Sequence, residues 1–294
     1  MAASRRTGGW GWRSDKQARD DGLTYNSVST WCSHTQLTAR RSFFVVQVGN
    51  LEEAAKAKEA CVDGIIVQGR EAGGHVIGQE GLLPLLPKVV DLVSDSGIAV
   101  IAAGGIVDGR GYAAALAVGA HGVCLGTRFL ASEESFAHPL YKKRLIEMNS
   151  TDYTNVFGRA RWPGAPHRVL KTPFYVQWKN LADQETEENQ PIIGHTIIHG
   201  VHRDVRRFAG TVPNATTTGD IDSMVMYAGQ AVGLITEIIP ASEVINRLID
   251  EVQHVIRERF SDCQLRPKPN KDSAWLVDVK RSGQSLSKEF ICCM

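Results

Sequence analysis

The chain has 294 residues, 43% of them hydrophobic and 22% charged, and its 33 Lys and Arg against 32 Asp and Glu leave a formal net charge of +1. This composition excludes a collagen-like, low-complexity or wholly disordered chain. It also argues against general nucleic-acid binding, which needs a basic surface to release counterions.

Residues 1–42 stand apart from the rest. They carry Arg5, Arg6, Arg13, Lys16, Arg19, Arg40 and Arg41 with three tryptophans, and they show no period of 2 or 3.6. They read as an atypical, disordered leader. Asp15, Asp20 and Asp21 weigh against an organelle transit peptide. The leader also lacks the apolar core of a secretory signal, and no run in the chain reaches the roughly 18 apolar residues of a membrane span. The six cysteines, Cys32, Cys61, Cys124, Cys263, Cys292 and Cys293, include no Cys-x-x-Cys pair. The expectation is a cytoplasmic protein that engages neither membrane nor nucleic acid.

A regular pattern begins at Phe43. The run Phe43–Val48 is β-branched and aromatic, as a strand buried on both faces requires. Asn50 is placed to cap a following helix over Leu51–Ala60, a stretch rich in strong helix formers. Strand Gly64–Val67, helix Leu82–Ser94, strand Ile98–Ala102, helix Gly109–Val118, strand Gly122–Leu125 and a helix from Ser132 to Met148 follow in turn. Strand and helix alternate every roughly 25–35 residues, the rhythm of right-handed βαβ units on a parallel sheet. That rhythm alone suits both a TIM barrel and an open doubly wound sheet.

Residues 150–222 break the pattern with five prolines and the acidic patch Glu185–Glu188, and read as an irregular inserted lobe. Residues 223–262 read as C-terminal helices, over Ile221–Leu234 and Ser242–Arg259, with Pro240 as the breaker. The polar, lysine-rich stretch 263–294 reads as a flexible tail.

Three glycine-rich segments follow strands. In Gln68–His75 (QGREAGGH) two glycines permit close backbone approach or positive φ, and an imidazole suited to proton transfer comes at once. Ala102–Ile106 and Leu125–Thr127 follow the next two strands. An ordered pair of strand-end glycine turns matches a barrel phosphate site, where backbone N–H groups and a helix N-terminus hold a monoester.

With Ala102–Gly111 (AAGGIVDGRG), Gly119–Leu130 (GAHGVCLGTRFL) and Tyr227–Leu234 (YAGQAVGL), these segments resemble the nitronate monooxygenase family. The likeness runs from Phe43 to Ile256 and includes Asn50–Ala54. It implies an α/β TIM barrel that binds flavin mononucleotide (FMN), with an inserted lobe, and oxidation of alkyl nitronates by O2 to a carbonyl compound and nitrite. Carried over by position, His75 is the catalytic histidine, hydrogen-bonding the nitro oxygens or taking the α-proton. The implied cofactor residues are Gln68, Gly73, Gly74, Gly104, Gly105, Cys124, Leu125, Gly126, Thr127, Tyr227 and Gln230.

The histidine loop arrives by residue 75, earlier than in the family, which implies a barrel incomplete at its N-terminus, reached by truncation or closed by a partner such as a second copy. Rival readings are a flavin-barrel enoyl reductase sharing the Gly-Gly-His loop, and a catalytically silent family member. An inosine-monophosphate-dehydrogenase-like reading fails for want of a catalytic cysteine in a strand-end loop.

Other features carry blander expectations. His199 and His202 are expected to pack within the lobe, and Asp220 and Asp222 to cap the helix that follows. Arg203, Arg206 and Arg207 read as a solvated basic turn, and Cys124 as a buried, inert thiol.

Overall fold

The computed structural model describes residues 43–180, 186–260 and 291–293. The leader 1–42 and most of the tail lie outside the described residues.

Strand β1 (Val45–Val48) leads into helix α1 (Leu51–Glu59), whose start is fixed reciprocally. Asn50 Oδ1 accepts the Glu53 N–H at 2.8 Å, and the Glu53 carboxylate accepts the Gly49 N–H at 2.7 Å. Strand β2 (Gly64–Gln68) follows, then the two-residue strand β3 (Gly74–His75), helix α2 (Leu82–Val93), β4 (Ala99–Ala103), α3 (Gly109–Ala117) and β5 (Gly122–Leu125). Strands β1, β2, β4 and β5 are all parallel and lie side by side in chain order. A doubly wound sheet reverses its strand order at a switch point, whereas an unreversed order is the barrel's. The described residues thus form part of a TIM barrel. Val48, Ile65, Val67, Val100, Ala102, Val123 and Leu125 are buried with Leu85, Leu86 and Val89 of α2 in one core.

Of the helix expected over Ser132–Met148 only α5 (Pro139–Glu147) forms, and a separate short helix, α4 (Thr127–Leu130), precedes it. The irregular stretch between them ends where Pro139, with no N–H to lose, starts α5 behind the His138 cap. The stretch expected to be irregular contains β6 (Thr151–Thr154), β7 (His167–Leu170), helix α6 (Pro173–Trp178), and the hairpin β8 (Ile192–Ile198) and β9 (Val201–Arg206) with β10 (Thr218–Gly219). These make two small sheets, β3-β7-β6 and β10-β8-β9.

No α-helix covers Ile221–Leu234. Short 3-10 turns occupy 221–223 and 230–234, because the backbone between them is drawn alongside β7. The Leu170 N–H donates to Met226 O and the Ala228 N–H to Arg168 O, bonds that a helix would forfeit. Asp220 therefore caps no α-helix, and Asp222 instead pairs with Arg144 at 2.9 Å. His199 and His202 are exposed rather than packed inside, because His199 forms the β8–β9 turn and His202 lies in the exposed first half of β9.

Helix α7 (Ala241–Phe260) then returns to the barrel, where Val244, Leu248 and Val252 join its core. Of the stretch expected to be a flexible tail, Ile291–Cys293 form strand β11, parallel to the otherwise open edge of β5. No helix among the described residues is long and apolar enough to cross a membrane.

Candidate active site

The three glycine-rich turns converge at the C-terminal ends of β2, β4 and β5. They surround a cavity of about 210 Å³, with Gln68, Gly73 and Gly74 on one side, Gly104 and Gly105 on another, and Cys124, Gly126 and Thr127 on a third. Tyr227 and Gly229 close it from the segment beside β7.

Gly104 and Gly105 lie at φ +109° and +70°, left-handed positions that a β-carbon makes costly, and a Cβ at Gly105 would also stand 3.1 Å from Glu71. At Gly73 a Cβ would collide at 2.5 Å with the backbone of Ala228 and Gly229, so the late segment can lie against the histidine loop only because residue 73 has no side chain. Among the described residues no charged side chain lines the cavity.

Two of the expected cofactor residues turn away from it. The Leu125 side chain is part of the apolar core, and that of Gln230 is exposed, its backbone N–H donating to Glu71 O at 2.8 Å.

Gln68 is buried and builds the loop above it. Its Oε1 accepts the Ile77 N–H at 2.8 Å and its Nε2 donates to His75 O at 3.2 Å. His75 thereby sits in β3, registered opposite His167 of β7. Its ring is boxed by Trp162, His167 and Tyr227, with centroids 5.5, 5.6 and 5.7 Å away. The His75 Nε2 is buried and has no hydrogen-bond partner among the described residues. Burial pushes the His75 pKa below the ordinary histidine value, so the imidazole is neutral at pH 7.

His167 is buried deeper still, and desolvation, partly offset by its contact with the Ala165 carbonyl, lowers its pKa to about 4. Its Nε2 accepts the Phe157 N–H at 3.4 Å while Nδ1 lies 3.2 Å from Ala165 O, which fits the neutral form protonated on Nδ1. Tyr227 is held above its usual pKa by burial and stays a phenol.

The family profile for nitronate monooxygenase matches residues 30–251, well over half of the chain. The chain belongs to the nitronate monooxygenase family.

Relatives within and around that family span more than one chemistry. The nitronate monooxygenase of Neurospora crassa is 31% identical over 74% of this chain and 56% of its own length. A Mycobacterium tuberculosis protein named for dehydrogenation of a 5-hydroxy-7a-methyl-1-oxo-octahydroindene-4-carboxyl-CoA is 33% identical over 72% of this chain and 65% of its own. Among solved structures, FabK of Thermotoga maritima superposes with a TM-score of 0.57 at 30% identity, over 75% of this chain and 64% of that one. Nitroalkane oxidase of Streptomyces ansochromogenes superposes with a TM-score of 0.54 at 27% identity, over 75% and 59%. The chain thus spans between 56% and 65% of the length of these relatives and structures.

Three contributors to this site escaped the sequence reading. Glu71 lies inside the quoted histidine motif. Its two carboxylate oxygens accept the Leu82 N–H at 3.0 Å, capping α2 where Gly81 supplies no side chain. His167 and Trp162 lie some 90 residues beyond His75 in the stretch that read as irregular. The one signal for them was the apolar pair Val169-Leu170 just beyond His167, too short to mark a strand by itself. Nothing local told that this strand would pair with β3.

Proposed function

We propose that this chain is an FMN-dependent enzyme that oxidises alkyl nitronates with O2, releasing a carbonyl compound and nitrite. One observation carries the reading: a buried, unpartnered His75 Nε2 beside a cavity walled by strand-end glycine turns, in a member of this family.

The residues present suit the cofactor. The backbone at Gly104, Gly105, Gly126 and Thr127 offers an anion a close approach, since a Cβ at Gly126 would meet nothing within 4 Å and no acidic side chain among the described residues lines the cavity. At about 210 Å³ the cavity is smaller than the roughly 300 Å³ at the low end of ligand sites, so it suits the phosphate end of the cofactor rather than the whole of it. Gln68, Gly73, Gly74, Cys124 and Tyr227 line the same space and would flank the bound cofactor. The bound flavin would supply the redox chemistry, passing electrons from substrate to O2.

The protein's own part centres on His75. A neutral imidazole offers one N–H and one lone pair. Its Nε2 can donate to a nitronate oxygen in one tautomer or accept the α-proton of the parent nitroalkane in the other. Tyr227, His167 and Trp162 surround it without a carboxylate among them, which keeps the ring uncharged until substrate arrives.

The experiment is the visible absorption spectrum of the purified chain, followed by nitrite release from nitronates under air. A flavin spectrum near one cofactor per chain, with nitrite formed, supports the reading. A colourless protein overturns it.

The relative that acts on a coenzyme A thioester favours a second reading, oxidation or reduction of an acyl thioester at the same cavity. Flavin retention with NAD(P)H or acyl-CoA turnover, and no nitrite, would select it.

A further inference from the structure

Among the described residues two buried side-chain atoms lack a hydrogen-bond partner, Nε of Arg128 and Nε2 of His75. The Arg128 guanidinium is otherwise satisfied, its Nη2 donating to the carbonyls of Ala131 and Glu237, both at 2.9 Å. His75 Nε2 is different: it is shut off from water by rings, so a ligand reaches it only if one of those rings moves.

The three rings are held unequally. His167 is wholly buried, with both ring nitrogens against backbone groups of its own hairpin. The Tyr227 backbone bridges to Val169, and its carbonyl accepts the Tyr141 hydroxyl at 2.6 Å. Trp162 is half-buried, on the irregular segment between β6 and β7. Its indole makes no hydrogen bond to the described residues, and its backbone bonds are the Trp162 N–H to Gly158 O at 2.8 Å and the Ala165 N–H to Trp162 O at 3.2 Å. Gly158 and Gly164 flank it at φ +69° and +70°, and a Cβ at Gly164 would touch nothing within 4 Å. Both bonds are local to a turn between two glycines, and that turn is itself anchored, the Gly158 N–H donating to Phe208 O at 2.7 Å and the Ala160 N–H to a Glu187 carboxylate oxygen at 2.9 Å, so the indole moves by rotating about its own side-chain bonds.

We propose that Trp162 is the movable wall of the substrate site: the indole swings off His75 to admit the ligand, and its bulk sets how large an apolar group fits against Nε2. The group is apolar because the box itself contributes three uncharged rings, the Arg161 guanidinium standing off at 6.0 Å from the Trp162 ring centroid. That the ligand's reacting end is a nitronate rests on the function proposed above.

The test uses straight-chain alkanoates from acetate to octanoate, whose planar carboxylate is isosteric with a nitronate. Binding is read from the His75 resonances of the ¹⁵N-histidine-labelled chain, assigned by their loss in His75→Gln. The expected result is a wild-type preference for short chains that moves to longer ones in Trp162→Ala, with octanoate binding tightened about tenfold. Trp162→Phe should fall between the two.

A chain-length preference unchanged in Trp162→Ala, equal weakening at every length, or no perturbation of His75 in any variant each overturns the proposal. Turnover of a matching nitronate series separates the two claims. A moved alkanoate preference without nitrite formation leaves this inference standing and sinks the nitronate reading. Nitrite formation with an unmoved preference does the reverse.

Discussion

The parallel sheet and the two small antiparallel sheets are held together by different kinds of pairing. In the first, β1, β2, β4 and β5 lie side by side in chain order with only the short β3 passed over, and the helices between them cover the sheet. In the second, His75 lies opposite His167, and the segment at Met226–Ala228 lies along β7. The glycine turns that ring the cavity are products of the local scheme. The box around the His75 imidazole is a product of the long-range one. Cofactor holding and substrate handling are therefore expected to fail separately, and the His75, Gly105 and Tyr141 variants below test that separation.

The largest effects fall on the two functions themselves. His75→Ala should lower nitronate turnover by about 10²–10⁴-fold, the usual worth of a positioned acid or base, while the flavin absorbance of the purified protein stays unchanged. Loss of flavin in this variant would join the two regions that the comparison keeps apart. Gly105→Val should act the other way. A β-branched residue at φ +70°, crowded against Glu71, costs on the order of 1–3 kcal/mol of strain and closes the phosphate's approach. Flavin content, read from absorbance, should fall about tenfold or more, and a normal content would remove the cavity from the cofactor's path.

A smaller effect concerns pH. His167 has a folded pKa of about 4, below the ordinary 6.5, so between those values the unfolded chain binds a proton that the folded chain does not. Stability is therefore complete above about pH 6.5 and is lost as pH falls toward 4, by on the order of 2–3 kcal/mol. His75, shifted in the same direction, adds to the slope. Urea denaturation at neutral and mildly acidic pH should show this loss, and His167→Gln, which keeps an acceptor for the Phe157 N–H, should flatten it. An unchanged slope in that variant would mean that His167 is not the buried neutral histidine of the antiparallel sheet.

The smallest effect is Tyr141→Phe, which removes the hydroxyl donating to Tyr227 O. It should cost about 1–2 kcal/mol in urea denaturation, since the carbonyl is left unpaired in a buried place. Turnover should drop with flavin content unchanged.

Much of the parallel sheet was legible because its signals are local. The apolar runs of β2, β4 and β5, the Asn50 cap and the glycine pairs that end the strands each report on residues within a turn or two. The antiparallel region was misread because the strand character of His167–Leu170 is short and the prolines around it look like loop. Ile221–Leu234 failed for a related reason, its helix-like composition being overridden by backbone pairing with β7.

By itself the sequence determined the βα order, the strand-end glycine turns and the histidine placed directly after the first of them, because these depend on backbone conformations that only certain residues adopt. Tertiary structure alone decided what surrounds that histidine. His167, Trp162 and Tyr227 meet it only once a strand some 90 residues away pairs with its own and a segment some 150 residues away pairs with that strand, and it is their burial of His75 Nε2, with no partner supplied among the described residues, that leaves the imidazole neutral.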